Sequence, residues 1–334
     1  MSKNEKNLKV VIIGCGDMGK MHAGGWKESK LAELVAAVDV DRERLGKFMN
    51  EHDIKNGASD YKEVIKEYKP DVVSVCVPAF LHREVVEFSA NLGCHVFCEK
   101  PIALNLEDAQ AMIDCCKKNN VQFGIDFQRR YWSNTKFYKE MFADKTLERP
   151  VMWKQADVRD VRPKILMHDK NGNGGSIVDC GVHWFDQWRY LFDSEAVSVY
   201  ARGFCFGDGK KELDSIKDKA IDTGIITVEF DSGDVGELTM CWGLPAKTQG
   251  YTDEVILAKN GMARVQNGVI TLNCGRWQTT EKCQFTWSPI VLEFAKSIIE
   301  EKPSPVSGED GLAALRMALA ALESIVTGEI VMLR

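Results

Sequence analysis

The sequence predicts an α/β protein with a doubly wound parallel sheet in its N-terminal part and an α+β region with a mainly antiparallel sheet after it. Three observations support this prediction: the chain length, a regular alternation of strand-like and helix-like segments in the first part, and turn signals in the second. The chain has 334 residues, which is long for a single hydrophobic core. We therefore expect two domains, residues 1–126 and residues 127–334.

The first domain is predicted from its alternation of short apolar runs and helical patterns. The strand-like runs include KVVIIG, ELVAAV, DVVSVCV and CHVFC, and the helical patterns between them include YKEVIKEY and LEDAQAMIDCCKKNN, with Asn105 as a helix N-cap. Strands that alternate with helices form βαβ units, in which helices cover both faces of a parallel sheet.

The second domain is predicted from strand-like runs joined by short turns. The turns DSGD, KNG and QNG are typical of hairpins. The region also contains the segment GGSIVDCGVHWFD at 174–186 and helical patterns near 134–142, 289–301 and 309–326. These features indicate a mainly antiparallel sheet that carries several helices.

Composition excludes several classes of partner. The formal net charge is −6, and Lys and Arg are interspersed with Asp and Glu, so we expect no nucleic-acid partner. The polar start MSKNEKNLK and the absence of an apolar run of about 18 residues predict a cytoplasmic protein without a membrane segment. The 11 cysteines are odd in number and often lie in apolar runs, which favours buried reduced thiols. We expect no metal site, including at Cys94, His95 and Cys98.

The stretch VVIIGCGDMGKMH predicts a dinucleotide site. Gly14, Gly16 and Gly19 have the G-x-G-x-x-G spacing between a predicted strand and a predicted helix. The first glycine permits a tight turn, the second lets a diphosphate approach the backbone, and the third allows close helix packing. Asp39 ends the next strand, where a carboxylate accepts both ribose hydroxyls of an adenosine and repels a 2′-phosphate. This residue favours NAD over NADP, while Asp41 is the better candidate for a helix cap.

The segment GGSIVDCGVHWFD raises a question of interpretation. Asp179 and His183 are four residues apart, so on a helix they share one face. The same stripe contains Ser176, Asp186 and Gln187, whereas the opposite arc is apolar. The stripe can be the solvated side of a core helix, or it can carry chemistry. The spacing alone leaves both interpretations open.

A further motif, CEKPIAL, places Lys100 at the carboxyl end of a predicted parallel strand, where such sheets bind ligands. Together with GCGDMGKMH, CVPAFLHREVVEFSANLGCHVFCEKPIAL, the RR of DFQRRYW and GGSIVDCGVHWFD, it gives the chain a resemblance to the glucose-fructose oxidoreductase and inositol dehydrogenase (Gfo/Idh/MocA) family. The resemblance spans nearly the whole chain. It implies a Rossmann domain, an open-faced sheet domain, and oxidation or reduction of a secondary alcohol of a sugar or cyclitol with a nicotinamide cofactor.

The resemblance also implies roles for individual residues. The catalytic residues would be Lys100, Asp179 and His183. The cofactor-binding residues would be Gly14, Gly16, Asp17, Met18, Gly19, Asp39, Val77, Pro78, His82, Glu99 and Lys100. Arg130, or its neighbour Arg129, would reach substrate hydroxyls. Apart from the resemblance, His168 in the loop LMHDKNGNGG just before the predicted helix either lines the substrate pocket or is a solvated loop residue. Gln128 departs from the Asn or Met expected at its position, which puts in doubt the polar contacts near the nicotinamide ring.

These residues suggest a mechanism. His183 would remove the hydroxyl proton, since an imidazole with a pKa near about 6.5 suits that task. Asp179 would fix its tautomer or share the proton, or would instead bind a substrate hydroxyl. Lys100 would stabilise the developing alkoxide. The structural alternative is a surface Asp–His pair and a lysine that forms a salt bridge with Glu99 or another carboxylate.

Two other functions remain open. One is a non-catalytic regulatory protein that binds a dinucleotide or sugar, against which the retention of Lys100, Asp179 and His183 argues. The other is an enzyme with a tightly bound cofactor that forms a keto-sugar intermediate in glycoside cleavage. The regulatory protein would in addition act on a partner, whereas the expected substrate of an enzyme is a small-molecule sugar or cyclitol. An open sheet would expose apolar surface, so we also expect a homo-oligomer, a dimer or tetramer.

Overall fold

The computed structural model describes residues 7–162, 164–266, 268–274, 277–284 and 288–333. Contacts divide the chain into two compact units. The first unit holds the described residues up to Gln128 and those from 288 to Leu312. The second holds the described residues from Arg129 to 284 and from Ala313 to 333.

The first unit is built on a parallel sheet, as predicted. Its elements in chain order are β1 Leu8–Ile13, α1 Asp17–Ser29, β2 Ala32–Val38, α2 Arg42–His52, β3 Gly57–Ala58, α3 Tyr61–Tyr68, β4 Val72–Val75, α4 His82–Asn91, β5 His95–Cys98, α5 Leu106–Lys118 and β6 Phe123–Ile125. The strand order is β3-β2-β1-β4-β5-β6, and every pairing is parallel. This is a Rossmann-type sheet, whose order reverses between β1 and β4.

Local sequence explains these elements. Strands β1 and β4 are almost continuously buried, as expected for parallel strands covered on both faces. The side chain of Asp41 caps α2 by accepting hydrogen bonds from the amides of Glu43 and Arg44, and Asn105 caps α5 by accepting one from Asp108. Both caps agree with the sequence prediction.

The second unit is built on a larger sheet. Its elements, with the two C-terminal helices, are α6 Ser133–Ala143, β7 Met152–Asp160, α7 Val182–Phe192, β8 Ala196–Phe204, β9 Thr223–Phe230, β10 Val235–Leu244, β11 Tyr251–Ala258, β12 Gly261–Gln266, β13 Val269–Cys274, β14 Trp277–Lys282, α8 Ser288–Ile299, α9 Gly308–Thr327 and β15 Val331–Met332. The strand order is β14-β13-β12-β11-β7-β10-β9-β8-β15. Among these pairs only β7 and β10 are parallel, so the predicted mainly antiparallel sheet is confirmed for the described residues.

The two C-terminal helices differ in the unit to which they belong. Helix α8 lies in the first unit, where it packs on α1: a Cβ at Gly25 would lie 2.9 Å from the Val291 side chain. Helix α9 begins in the first unit and continues into the second.

One face of the large sheet is covered and the other is open. Helix α7 packs on the covered face, where the Trp188 ring lies against Gly236 of β10: a Cβ there would lie 2.4 Å from the indole. Alternate residues of β9 are buried, as in a sheet covered on one side. The other face exposes large apolar side chains, including those of Met152, Ile225 and Tyr251.

Two further predictions concern cysteines and membranes. All 11 cysteines are free thiols, and seven of them are buried, which agrees with the predicted reduced state. No helix in the described part of the chain is long and apolar enough to span a bilayer.

Candidate active site

The glycine loop of the first unit has a geometry that requires its glycines. Gly14 has a φ of +97°, and a Cβ there would lie 2.5 Å from the carbonyl oxygen of Cys76. A Cβ at Gly19 would lie 2.1 Å from the carbonyl oxygen of Gly14. At Gly16, by contrast, an added Cβ meets nothing within 4 Å. The first and third glycines therefore allow tight packing, and the second faces open space.

That open space suits a diphosphate. Gly16 is the N-cap of α1 and supplies no side-chain hydrogen bond to the first turn. The backbone N–H groups at a helix N-terminus and the positive end of the helix dipole attract anions. Asp17 and Met18, two predicted cofactor residues, begin this helix. The loop therefore fits the diphosphate of a dinucleotide.

Asp39 lies beside the loop, one residue after β2, and its carboxylate has four hydrogen-bond donors. The amides of Cys15 and Asp41 each donate at 2.9 Å. Arg44 donates through Nε at 2.7 Å and through Nη2 at 2.6 Å. Burial raises the pKa of this carboxyl, but hydrogen bonds from Arg44 and the two amides outweigh it and hold the pKa below its usual range. Asp39 is therefore an anchored anion with one side-chain partner.

Lys100 and Glu99 follow β5. The Glu99 side chain is buried and turns toward His22, which contacts Glu99 Oε1 at 3.1 Å and Asp126 Oδ2 at 3.2 Å through Nε2. His22 Nδ1 lies 2.8 Å from Ser74 Oγ. The other Glu99 oxygen accepts the backbone N–H of Lys100 at 3.2 Å. The Glu99 side chain, predicted to bind cofactor, thus belongs to a buried cluster at the base of the lysine segment.

Electrostatics in this His22 cluster favour a protonated imidazole. Burial lowers the pKa of His22, but the neighbouring Cys76 and hydrogen bonds to Asp126 and Glu99 raise it well above its ordinary value. Burial likewise raises the pKa of Glu99, and His22 and Lys100 offset this and leave it lowered. The three possible ligand atoms lie within 4.8 Å of one another, close enough to share a metal ion. Their separations, however, are those of hydrogen bonds from one imidazole to two carboxylates.

Val77, Pro78 and His82 lie beyond β4. His82 is buried, with Nδ1 3.2 Å from the carbonyl oxygen of Ile102 and Nε2 3.0 Å from that of Val77. Burial lowers the pKa of this histidine. The ring therefore ties the Val77 turn to the segment that follows Lys100, and both of its nitrogens face backbone.

In the second unit, Asp179 and His183 are both buried, at 2% and 5% exposure. Asp179 lies on a π-helical turn at Ile177–Gly181, and His183 lies in the first turn of α7. Asn173 Nδ2 donates to Asp179 Oδ1 at 3.1 Å. The solvated-face interpretation of this stripe is therefore wrong. The single α-helix that we expected begins instead with a π-helical turn, a feature frequent at functional sites.

The rest of the stripe is structural. Ser176 Oγ donates to the carbonyl oxygen of Asp222 at 2.9 Å. Gln187 Nε2 donates to Thr135 Oγ1 at 2.7 Å, and that hydroxyl donates to the carbonyl oxygen of Arg129 at 2.6 Å. Asp186 accepts two hydrogen bonds from Arg130. These contacts fix the segment that follows Gln128 against α7.

The neighbouring arginines Arg129 and Arg130 have different environments. Arg130 donates to Asp186 through Nε at 2.9 Å and through Nη2 at 2.5 Å, in a buried bidentate pair. Arg129 instead lines a cavity of about 580 Å³, with its guanidinium 3.6 Å from the centre of the Trp184 ring. Of the two arginines considered as substrate contacts, Arg129 is thus the one that the structure places at a cavity.

His168, the other predicted substrate residue, is buried rather than solvated. Its Nε2 accepts the backbone N–H of Arg162 at 2.9 Å, and its ring lies against Trp242. Burial lowers its pKa. The 580 Å³ cavity is lined by other residues.

Several polar residues at these places were not singled out by sequence reasoning. They are His22, Asp126, Asn134, Gln155 and Glu254. His22 and Asp126 offered a signal, since the first ends GCGDMGKMH and the second ends a strand as a charged residue within an apolar run. Glu254 offered another, as a carboxylate at an inward position of the alternating strand DEVILA.

Comparison with known proteins places these features in a family. Residues 8–127 match the oxidoreductase family with an NAD-binding Rossmann fold, and residues 138–263 match the GFO/IDH/MocA C-terminal domain. The chain belongs to the Gfo/Idh/MocA family. It is accordingly a dehydrogenase that acts on CH–OH groups, with a Rossmann domain for a nicotinamide dinucleotide.

Individual relatives cover nearly the whole chain. The myo-inositol 2-dehydrogenase of Thermotoga maritima is 30% identical over 95% of this chain and 96% of its own length. A probable dehydrogenase from Thermotoga maritima with a solved structure has a TM-score of 0.78 at 28% identity, covering 97% of this chain and 98% of the other. An oxidoreductase from Agrobacterium radiobacter, solved with NAD+, L-tartaric acid and magnesium, has a TM-score of 0.84 at 21% identity and 98% coverage of both chains, which shows the fold alone.

Proposed function

We propose that this chain is an NAD-dependent dehydrogenase that transfers hydride between nicotinamide and a secondary alcohol of a sugar, sugar derivative or cyclitol. The placement of Asp179 and His183 carries the proposal: both are buried and they lie on consecutive turns, where a carboxylate can orient an imidazole that accepts a proton. Relatives with related substrates support it, among them the myo-inositol 2-dehydrogenase and the D-glucoside 3-dehydrogenase of Escherichia coli, which is 30% identical over 72% of each chain.

Each of three residues has a proposed role. The nicotinamide, when bound, supplies the hydride acceptor. His183 accepts the hydroxyl proton, and Asp179 on the preceding turn orients the imidazole. Lys100 donates a hydrogen bond to the oxygen that develops negative charge. The His22 cluster supports this lysine indirectly, since Glu99 accepts the Lys100 backbone N–H.

The preference for NAD is proposed from Asp39. Its two backbone donors anchor the carboxylate, whereas Arg44 is about half exposed and can be displaced by ribose hydroxyls. A 2′-phosphate would meet the same anionic group. Gly14, Gly16, Asp17, Met18 and Gly19 would hold the diphosphate, as the open space at Gly16 supports.

We also propose a homo-oligomer. The open face of the large sheet exposes Met152, Ile225 and Tyr251, and a second copy of the chain would cover such apolar side chains.

The test of the proposed function is the turnover of three variants. His183→Ala should slow NAD reduction by about 10² to 10⁴. Asp179→Ala should cost a similar or smaller factor, and the double variant should be little worse than the poorer single variant, since the two act as one unit. The measurement is steady-state NADH formation at saturating NAD, with folding checked by circular dichroism. Full activity of a folded His183→Ala protein would refute the role of the histidine.

A further inference from the structure

The cavity of the second unit has polar walls. It is lined by the paired strands β7 and β11, by the segment around Arg129 and by the start of α7, and it measures about 580 Å³. Gln155 of β7 and Glu254 of β11 are directly opposite each other in the sheet and both line it. Further buried residues of the wall are Asn134, Trp184, Asp157 and Arg129. A hydrophilic ligand would therefore suit this cavity better than an apolar one.

Two arginines line this wall, Arg129 and Arg159, and of these Arg159 pairs with Asp157. The guanidinium of Arg129 lies 3.6 Å from the centre of the Trp184 ring and 5.1 Å from that of Trp132. Stacking of this kind uses the faces of the guanidinium and leaves its N–H edges free for hydrogen bonds. The residue is only 7% exposed, and its Nε and Nη1 atoms have no hydrogen-bond partner in the protein. The third nitrogen, Nη2, donates to Cys180 Sγ at 3.9 Å, so two buried N–H-bearing nitrogens of this guanidinium still call for acceptors from a ligand.

The carboxylates near this cavity have partners of their own. Asp157 is held by Arg159 at 2.5 Å, and Asp253 is held by Arg264 at 3.1 Å. Among the described residues no carboxylate forms an ion pair with Arg129, which has none within 4.0 Å. The positive charge of this arginine is therefore offset only at longer range.

Glu254 does not supply a full negative charge at neutral pH. Its Oε1 accepts a hydrogen bond from Tyr138 Oη at 2.5 Å. Burial, with a further raising effect from Asp253, raises its pKa to about 7. Tyr138, Arg129 and Asn134 act in the opposite direction. The neutral acid is therefore more favoured here than for a carboxyl group in water.

Two buried acceptors complete the set. Gln155 Oε1 and Asn134 Oδ1 have no hydrogen-bond partner in the protein, and both side chains are more than nine-tenths buried. Oxygen acceptors of this kind match hydroxyl donors on a ligand. The cavity therefore combines one unpaired cation with acceptors for hydroxyl groups.

We propose that this cavity binds an acidic polyol, whose carboxylate or phosphate pairs with Arg129 and whose hydroxyls donate to Gln155 and Asn134. The inference deepens the proposed function, on which it rests for the view that the bound polyol is a substrate. A planar guanidinium edge matches either oxyanion, so the ligand is a sugar acid or a sugar phosphate.

Binding of such an anion is coupled to Glu254. An anion on Arg129 disfavours a second negative charge nearby, so it binds best when Glu254 is protonated. The charged and titratable groups that act on Glu254 are Tyr138 from α6, Arg129 and Asp253. Affinity for an acidic polyol should therefore decrease as the pH rises through about 7.

The test is calorimetric titration of the full chain, saturated with NADH, with three sugars and one ion. D-glucuronate and D-glucose 6-phosphate carry the two oxyanions, D-glucose is the neutral match, and inorganic phosphate is the oxyanion without a polyol. One or both sugar anions should bind at least about tenfold more tightly than glucose, as expected for a charge-assisted pair. Phosphate alone should bind more weakly than the phosphorylated sugar, because it lacks the hydroxyls.

Matched variants distinguish binding of the anion at Arg129 from a general effect of the protein's net charge. Arg129→Gln should reduce the anion preference to about twofold or less, while Arg202→Gln, which removes the same charge from a residue of β8 outside the cavity lining, should leave it within about twofold. For glucuronate, Glu254→Gln should abolish the decrease in affinity between pH 6 and pH 8. If Arg129→Gln fails to fold, the glucuronate-to-glucose ratio and its pH dependence in the unaltered chain still decide the matter.

Equal affinity of the unaltered chain for glucose and both sugar anions would overturn the proposal. An anion preference that survives in Arg129→Gln would also overturn it. These outcomes are distinct from failure of the proposed function, because calorimetry needs no turnover. Oxidation of neutral polyols without an anion preference refutes the cavity assignment alone, and anion binding without any polyol oxidation refutes the dehydrogenase proposal alone.

Discussion

The two units each bury a cluster of polar side chains, and the clusters differ in how their hydrogen bonds are completed. In the first unit, both ring nitrogens of His22 have partners, in Ser74, Glu99 and Asp126. In the second unit, Arg129 and Gln155 retain polar atoms without partners, and these residues line a cavity. A buried polar group that the protein satisfies supports the fold, whereas one that it leaves unsatisfied is a candidate to bind a ligand.

The largest effect expected from this comparison is on stability in the first unit. His22→Leu removes the imidazole that both Glu99 and Asp126 contact and leaves these carboxylates buried, so the free energy of unfolding should decrease by about 3 to 5 kcal/mol. The measurement is urea denaturation followed by circular dichroism. His52→Leu is the control, because His52 is only half buried and has no carboxylate within ion-pair distance among the described contacts. A loss below about 1 kcal/mol in His22→Leu would show that the cluster does not stabilise the fold.

A second effect should appear in the pH dependence of stability, through Glu254. Its pKa is raised from 4.5 to about 7, so between these values the folded state binds more protons than the unfolded state. The free energy of unfolding should therefore decrease as the pH rises from about 4.5 to 7, with a contribution on the order of 3 kcal/mol.

The control for this prediction is a matched substitution. Glu254→Gln should remove the contribution, whereas Glu229→Gln, on an exposed position of β9, should leave it in place. The measurement is denaturant unfolding at several pH values. Identical pH profiles for the unaltered chain and Glu254→Gln would show that Glu254 titrates normally.

The fold was predictable because its signals are local. The glycine spacing, the caps Asp41 and Asn105 and the alternating strands each depend on a few adjacent residues. The π-helical turn at Ile177–Gly181 was not predictable in this way. The spacing of polar and apolar residues there was compared only with the period of a regular α-helix. The burial of the polar stripe was also hidden, because the segment that covers it includes Arg130 and Thr135, about 50 residues earlier.

The candidate site was predictable only in part, and the pair Arg129 and Arg130 shows why. The two residues are identical in type and adjacent in sequence, but one is paired with Asp186 and the other stacks on Trp184. Each arginine contacts a residue more than 50 positions later in the chain, and these contacts decide which of the two can still bind a ligand. A sequence pattern identifies the pair, and only tertiary structure separates its members.

A smaller effect concerns Asp39. Its carboxylate accepts hydrogen bonds from two backbone amides and from one side chain, Arg44, which a ribose could displace. Asp39→Ser should release Arg44 and remove the negative charge, so the ratio of NADP affinity to NAD affinity should rise by about tenfold or more, equivalent to about 1.4 kcal/mol. The measurement is fluorescence titration with NADH and NADPH. In the double variant with Arg44→Ala, the gain in NADP affinity should largely disappear. Equal affinities for the two cofactors in the unaltered chain would remove Asp39 from its proposed role.

The proposed dehydrogenase activity is tested most directly by NADH formation at 340 nm on a panel of inositols, aldoses, sugar acids and glycosides, with the unaltered chain and Lys100→Met in parallel. The unaltered chain should oxidise at least one polyol. Lys100→Met should bind NAD with similar affinity but lose about 10² or more in turnover, because the developing alkoxide loses its cation. Absence of oxidation across the panel, or near-normal turnover of Lys100→Met, would contradict this account.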